Sequence, residues 1–157
     1  METVNKTCCF TGHRVLPADE LSGLEKKLLL QIESLIKAGI EIFIAGGAVG
    51  FDMLASFSVI SFKEKYPHIR LLIMLPCVNS DLMWSSENKE KQKKMLSLAD
   101  EIVFISEGGY YKGCMQKRDR AMVRESCCCV SYLNKQSGGT YYTVNYAKKR
   151  GVQVFYL

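Results

Sequence analysis

Three short stretches set glycine beside polar or charged residues: "TGHR" at 11–14, "GGAVGFD" at 46–52 and "SGGT" at 137–140. Glycine lets backbone N–H groups approach a bound group closely, and a helix starting at such a turn adds a positive dipole end worth about 0.3–1 kcal/mol per well-placed charge. That chemistry suits phosphate. Thr11, Gly12, Gly46, Gly47, Ala48, Gly50, Gly138, Gly139 and Thr140 are therefore candidate contacts to phosphate or ribose. Arg14 adds a planar fork suited to a two-point phosphate contact. Asp52 has two readings. As an acid in the first turn of a helix it is a cap; as a ligand contact it accepts hydrogen bonds from ribose hydroxyls or a base amine. Each glycine also has a plain reading as turn geometry, and Arg14 as a solvated loop side chain.

A fourth stretch, 112–126, carries Lys112, Lys117, Arg118, Arg120 and Arg124 against Asp119 in its first thirteen residues. It reads either as a solvated basic face or as a helix whose Arg118 reaches a phosphate or carboxylate, with Met115 and Met122 on a separate buried stripe. Asp52, Arg118 and Asp119 are the candidates for any catalytic role. Trp84 and Tyr110 fall in loops where an aromatic ring stacks on a base or packs into the core, and Tyr111, Tyr141 and Tyr142 share that ambiguity. His13 is a general base or ligand contact, but a lone His supports no mechanism; His68 precedes a strand at the opposite edge and reads as structural.

The elements that position these residues alternate along the whole chain. Strands are expected at 7–12, 40–47, 69–75, 101–106, 127–133 and 152–157, and helices at 19–39, 50–66, 86–99, 112–126 and 140–151. In the first helix Leu21, Leu24, Leu28, Ile32, Leu35 and Ile36 recur at spacings of three and four, Asp19 is the expected N-cap, and Gly39 the terminator. Continuously apolar strands belong to a sheet covered on both faces. The fold expected is therefore α/β: a mainly parallel sheet of about six strands between helical layers, one domain over 1–157. Ligands of such sheets bind beyond the carboxyl ends of the strands. The irregular stretches 76–85 and 106–112 are long enough to be functional.

Composition bounds the function classes. With 21 basic against 16 acidic residues, a net charge of +5 permits an anionic ligand or nucleic acid without requiring one. No apolar run spans a membrane, and "METVNKTCC" lacks the apolar core of a signal peptide. Seven cysteines, an odd number with Cys8–Cys9 and Cys127–Cys129 consecutive, read as reduced thiols in a cytoplasmic protein, and scarce His without a C-x-x-C pair gives no metal site. The helix 50–66 is apolar nearly all round; it is either deeply buried or part of a subunit interface, and a homodimer is expected.

"TGHR", "GGAVGFD", "MQKRDRAM" and "SGGT", in this order, resemble the SLOG superfamily of Rossmann-like nucleotide-binding proteins, specifically its YpsA-like branch. "GGAVGFD" is similar to the Gly-rich turn of DprA, and "MQKRDRAM" followed by "SGGT" resembles the LOG phosphoribohydrolases, which release a base from a nucleoside monophosphate. Arg118 matches the arginine of the LOG pattern, but Asp119 stands where LOG enzymes have lysine and Thr143 where they have the catalytic glutamate. The resemblance thus implies binding of a nucleotide or a nucleotide-derived signal of the ADP-ribose or NAD type, as a sensor or regulator. The alternatives it implies are a phosphoribohydrolase-like enzyme and DprA-like single-stranded DNA binding.

Overall fold

The computed structural model describes residues 3–157. The first two residues of the expected domain, and of the stretch read for a signal peptide, lie outside the described residues. After a single turn at Val4–Lys6, six strands alternate with five helices. The strands are β1 (Thr7–Gly12), β2 (Ile42–Ala45), β3 (Arg70–Leu75), β4 (Glu101–Phe104), β5 (Cys128–Tyr132) and β6 (Gln153–Tyr156). The helices are α1 (Leu21–Lys37), α2 (Phe51–Phe62), α3 (Ser86–Leu98), α4 (Cys114–Arg124) and α5 (Gly138–Lys149). Every strand pair is parallel, in the order β4-β3-β2-β1-β5-β6, a Rossmann-like α/β sheet.

Alternate side chains of each strand feed two cores, because strand residues point to opposite faces. Phe10, Phe43, Leu71, Ile73 and Val130 pack under α1, α2 and α3. Cys9, Ile44, Met74 and Cys129 face Met122 and Val123 of α4 and Ala147 of α5. Phe10 and Phe43 stack at 5.9 Å, and each buried aromatic of this kind contributes about 1.5–3 kcal/mol. All seven cysteines are free thiols, six of them buried. They act as small hydrophobes: Cys8 pairs in register with Cys128 and Cys9 with Cys129.

Some local expectations are corrected. Asp19 does not cap α1. The chain makes a turn there, Glu20 N–H donating to the Pro17 carbonyl at 3.1 Å, and the helix starts at Leu21 with no side-chain cap. Gly39 does terminate it, at φ +109°. β4 and β6 are sheet edges rather than covered strands, so Ile102, Phe104 and Tyr156 are exposed. α2 is sandwiched between α1, α3 and the sheet, with Phe51, Met53, Ala55 and Val59 buried and Phe57, Ile60 and Phe62 against the core. Burial inside one chain accounts for its all-round apolarity, which removes that helix as the ground for a dimer.

The sheet order locates one special place. From β1 the chain steps outward to β2, β3 and β4, then returns to lay β5 on the other side of β1. The connections leaving β1 and β5 diverge, and side by side their loops open a crevice at the carboxyl edge.

Candidate ligand-binding cleft

At that crevice lies a cavity of about 560 Å³, within the range of small-molecule sites. Its walls are the β1–α1 loop (Thr11, Gly12, His13, Arg14) and the start of α5 (Gly138, Gly139, Thr140). Its floor brings Ala48 and Asp52 from the α2 end together with Met115, Arg118, Asp119 and Met122 from α4. Nine of the twelve expected contact residues line it. Met115 and Met122 line it too, on the face of α4 that carries Arg118 rather than on a separate stripe; Met122 is buried in the core as expected, and Met115 is half-buried. The stretches 76–85 and 106–112 stay outside it.

The cleft has a cationic, amide-rich end. α5 begins without a side-chain cap, with Gly138 at φ +89°. Its first amides have no intrahelical acceptor, and Gly138 and Gly139 are exposed. Lys135 sits on the same rim, a lining residue that the motifs did not single out, although it stands just ahead of the second Gly loop. Arg14 is exposed, and its Nη2 lies 3.9 Å from the Met115 sulfur; the Arg118 Nη2 approaches the same sulfur at 4.0 Å. Two guanidinium groups thus converge on one thioether.

Arg118 is more than a ligand contact. It is 5% exposed, its Nη1 donates to the carbonyls of Gly46 and, at 3.3 Å, Met74, and its Nε pairs with Asp119 Oδ1 at 2.7 Å. The side chain ties α4 to the ends of β2 and β3, leaving chiefly Nη2 for the cleft. Gly46 is required for this: a Cβ there would lie 2.7 Å from both Arg118 Nη1 and Asp52 Oδ2.

The "GGAVGFD" turn is not the open phosphate cradle expected. Ala48 N–H donates to Asp52 Oδ2 at 3.2 Å, and Phe51 N–H donates to the His13 carbonyl at 3.1 Å. Gly47 and Gly50 adopt φ +76° and +79°, and a Cβ on Gly50 would strike the Arg14 carbonyl oxygen at 2.2 Å. Gly46, Gly47 and Gly50 therefore serve close packing behind the cleft. Gly46 and Gly47 border a recess of about 10 Å³, shared with Trp84, too small for a ligand. Asp52 combines its two readings. Its carboxylate braces the turn and also lines the cavity, and burial, partly offset by Arg118, pushes its pKa up to about 6.

The remaining candidates separate. Trp84 packs against the core, and Tyr110 is exposed away from the cavity, so the geometry brings neither to the cleft as a base-stacking wall. Tyr111 hydrogen-bonds Ser106 at 2.9 Å, and Tyr142 accepts from Arg120 at 2.9 Å. Thr143 is buried and donates to the Gly139 carbonyl at 2.8 Å, a helix-internal bond that presents no carboxylate. His13 has a structural role that its sequence context does not show. Its Nε2 accepts from Asn134 N–H at 3.0 Å, joining the two loops that flank the cleft, and its ring meets Tyr132 edge-on at 5.8 Å. A lone His in sequence gives no sign of such a partner 121 residues away.

The family model YpsA, described as the "YspA SLOG family", matches residues 17–156. The uncharacterized SPbeta prophage-derived protein YoqJ of Bacillus subtilis is 38% identical over 138 residues, covering 80% of this chain and 81% of that protein. A UPF0398 protein of Halalkalibacterium halodurans is 29% identical, covering 83% and 70%. Among solved structures, DNA processing protein A from Helicobacter pylori, described for its single-stranded DNA binding mode, superposes with a TM-score of 0.70 at 17% identity. DprA from Streptococcus pneumoniae superposes with a TM-score of 0.73 at 16% identity. Both alignments cover 98% of this chain, which spans 65% and 50% of those two proteins. No helix among the described residues is long and apolar enough to cross a membrane. The alternation of elements, the strand order and the family match agree: this chain belongs to the YpsA family of SLOG proteins.

Proposed function

We propose that the cleft binds a nucleotide or nucleotide-derived ligand of the ADP-ribose or NAD type, and that the protein is a sensor or regulator rather than a base-releasing hydrolase. One observation carries this reading: a single cavity of about 560 Å³ sets Arg14, Lys135 and the uncapped start of α5 opposite Asp52. The cationic end suits phosphate, and the carboxylate suits ribose hydroxyls. The helix-bonded Thr143 supports the preference for binding over N-glycoside cleavage, which needs an acid or base at the sugar.

The experiment is a thermal-shift screen of ADP-ribose, NAD and nucleoside monophosphates, because a ligand of the folded state raises the melting temperature by mass action. A hit whose shift is lost in Arg14→Ala and in Lys135→Ala is the expected result. Both side chains are exposed, so these variants fold. Arg118→Ala would strip Gly46 and Met74 of their donor and is the wrong probe. No shift with any of these compounds, or a shift indifferent to both substitutions, removes the reading.

A second reading is single-stranded DNA binding. The fold likeness to DprA and the exposed Lys117, Lys112 and Arg14 near the same edge favour it. Its mark is a steep salt dependence.

A further inference from the structure

We propose that His13 is a proton-operated clasp on the cleft: neutral, it ties the β1–α1 loop to the β5–α5 loop, and protonated, it lets the second loop swing away. The proposal rests on the nucleotide reading only for what the cleft holds; the clasp itself is a property of the two loops.

One side of the clasp is fixed. The His13 carbonyl accepts from Phe51 N–H, a Cβ on Gly12 would collide with the Phe51 ring, and Gly50 packs against the Arg14 backbone. The other side is exposed from Asn134 to Gly139 and carries the first amides of α5. The bond between them has a fixed polarity. A backbone N–H can only donate, so the His13 Nε2 facing it at 3.0 Å holds a lone pair and the ring proton sits on Nδ1. Adding a proton makes both ring nitrogens donors, and the Asn134 amide then faces another N–H.

The surroundings do not offset that proton. Partial burial first, and then the charge of Lys135, which follows Asn134 on the same loop, hold the imidazole below its ordinary value of 6.5. Arg14 is the next residue on the other loop. Tyr132 presents its ring edge, and its hydroxyl donates to Glu20 at 3.0 Å, so the carboxylate at the start of α1 is already engaged. On the floor, Asp119 is paired with Arg118, and Asp52 braces Ala48. A depressed imidazole pKa means the clasp is fully formed above about pH 6.5 and is lost as pH falls below it. Opening carries the α5 amides and Lys135 away from Arg14, which dismantles the anion-binding end.

The test is hydrogen exchange of the full chain between pH 5.5 and 7.5, read at the Asn134 amide and corrected for intrinsic rates, alongside NMR titration of the His13 ring. Protection at Asn134 is expected to fall by up to about tenfold across this range, following the His13 titration, with Nδ1 protonated in the neutral ring. His13→Gln, which accepts without titrating, should hold protection level. Asp52→Asn, which removes the other group titrating in this window, should leave the wild-type profile in place. Level protection in the wild type, or a neutral ring protonated on Nε2, overturns the clasp. Binding of ADP-ribose is followed in the same samples. A clasp that follows pH while ADP-ribose never binds leaves this inference standing and removes the nucleotide reading instead.

Discussion

Asp52 is a carboxyl group held where water hardly reaches it, beside an arginine already shared among two carbonyls and another aspartate. Its pKa of about 6, against an ordinary 3.8, means the folded protein keeps a proton that the unfolded chain releases. The sign follows: Asp52 lowers stability progressively as pH rises from about 4 to 6, and the penalty is constant above that. Asp52→Asn keeps an acceptor for Ala48 N–H while removing the charge. It should therefore raise stability by up to about 3 kcal/mol at pH 7.5 and by little at pH 4, as read from urea unfolding at the two pH values. An equal gain at both, or a loss at pH 7.5, would show that Arg118 compensates the carboxylate fully. A carboxylate kept at such a cost fits a group reserved for a ligand's hydroxyls. Arg118 was foreseen as a phosphate contact. Its bonds to Gly46 and Met74 were invisible in sequence, because those acceptors are backbone atoms 72 and 44 residues away.

At the scale of elements, two glycine loops that look alike in sequence do different work. In the α2 loop the glycines make room: Gly50 has φ +79° and meets the Arg14 backbone. In the α5 loop Gly139 has ordinary φ, and nothing lies within 4 Å of where its Cβ would be. Gly50→Ala should therefore cost at least about 2 kcal/mol of stability, while Gly139→Ala should leave stability within about 0.5 kcal/mol. Paired melts of the two variants check this, and a benign Gly50→Ala would mean the loops are interchangeable. The contrast explains what could be read beforehand. Alternating apolar runs and amphipathic helices reveal a parallel sheet because their periodicity is local. The edge character of β4, the turn at Asp19 and the engaged amides of Ala48 and Phe51 depend on neighbours distant in sequence. Thr140, Gly138 and Gly139 are recognisable as cleft residues because a Gly pair at a helix start is itself a local signal.

At the scale of the molecule, the order β4-β3-β2-β1-β5-β6 decides where a ligand can sit. Alternation of strands and helices is equally compatible with other orders, so the pairing of the β1 and β5 loops into one cleft was not legible from it. Once known, that pairing separates the two ligand classes. A nucleotide seated between the loops meets two exposed cations, Arg14 and Lys135, whereas a strand of DNA draped over the edge must also engage Lys112 and Lys117. Affinity for single strands scales with salt by about 0.7 per neutralised phosphate. ADP-ribose binding should thus weaken less than about tenfold between 50 and 200 mM salt. An oligonucleotide held by four or more contacts would weaken about fiftyfold over the same range. Fluorescence anisotropy of a labelled deoxythymidine oligomer, with ADP-ribose as competitor, makes the comparison. Displacement by ADP-ribose at low salt, with the oligomer already lost at 200 mM, is the expected pattern for a nucleotide cleft with an incidental basic rim. Oligomer binding that weakens about fiftyfold between 50 and 200 mM salt yet ignores ADP-ribose throughout would move the function to the basic surface and leave the cleft as packing space between two loops.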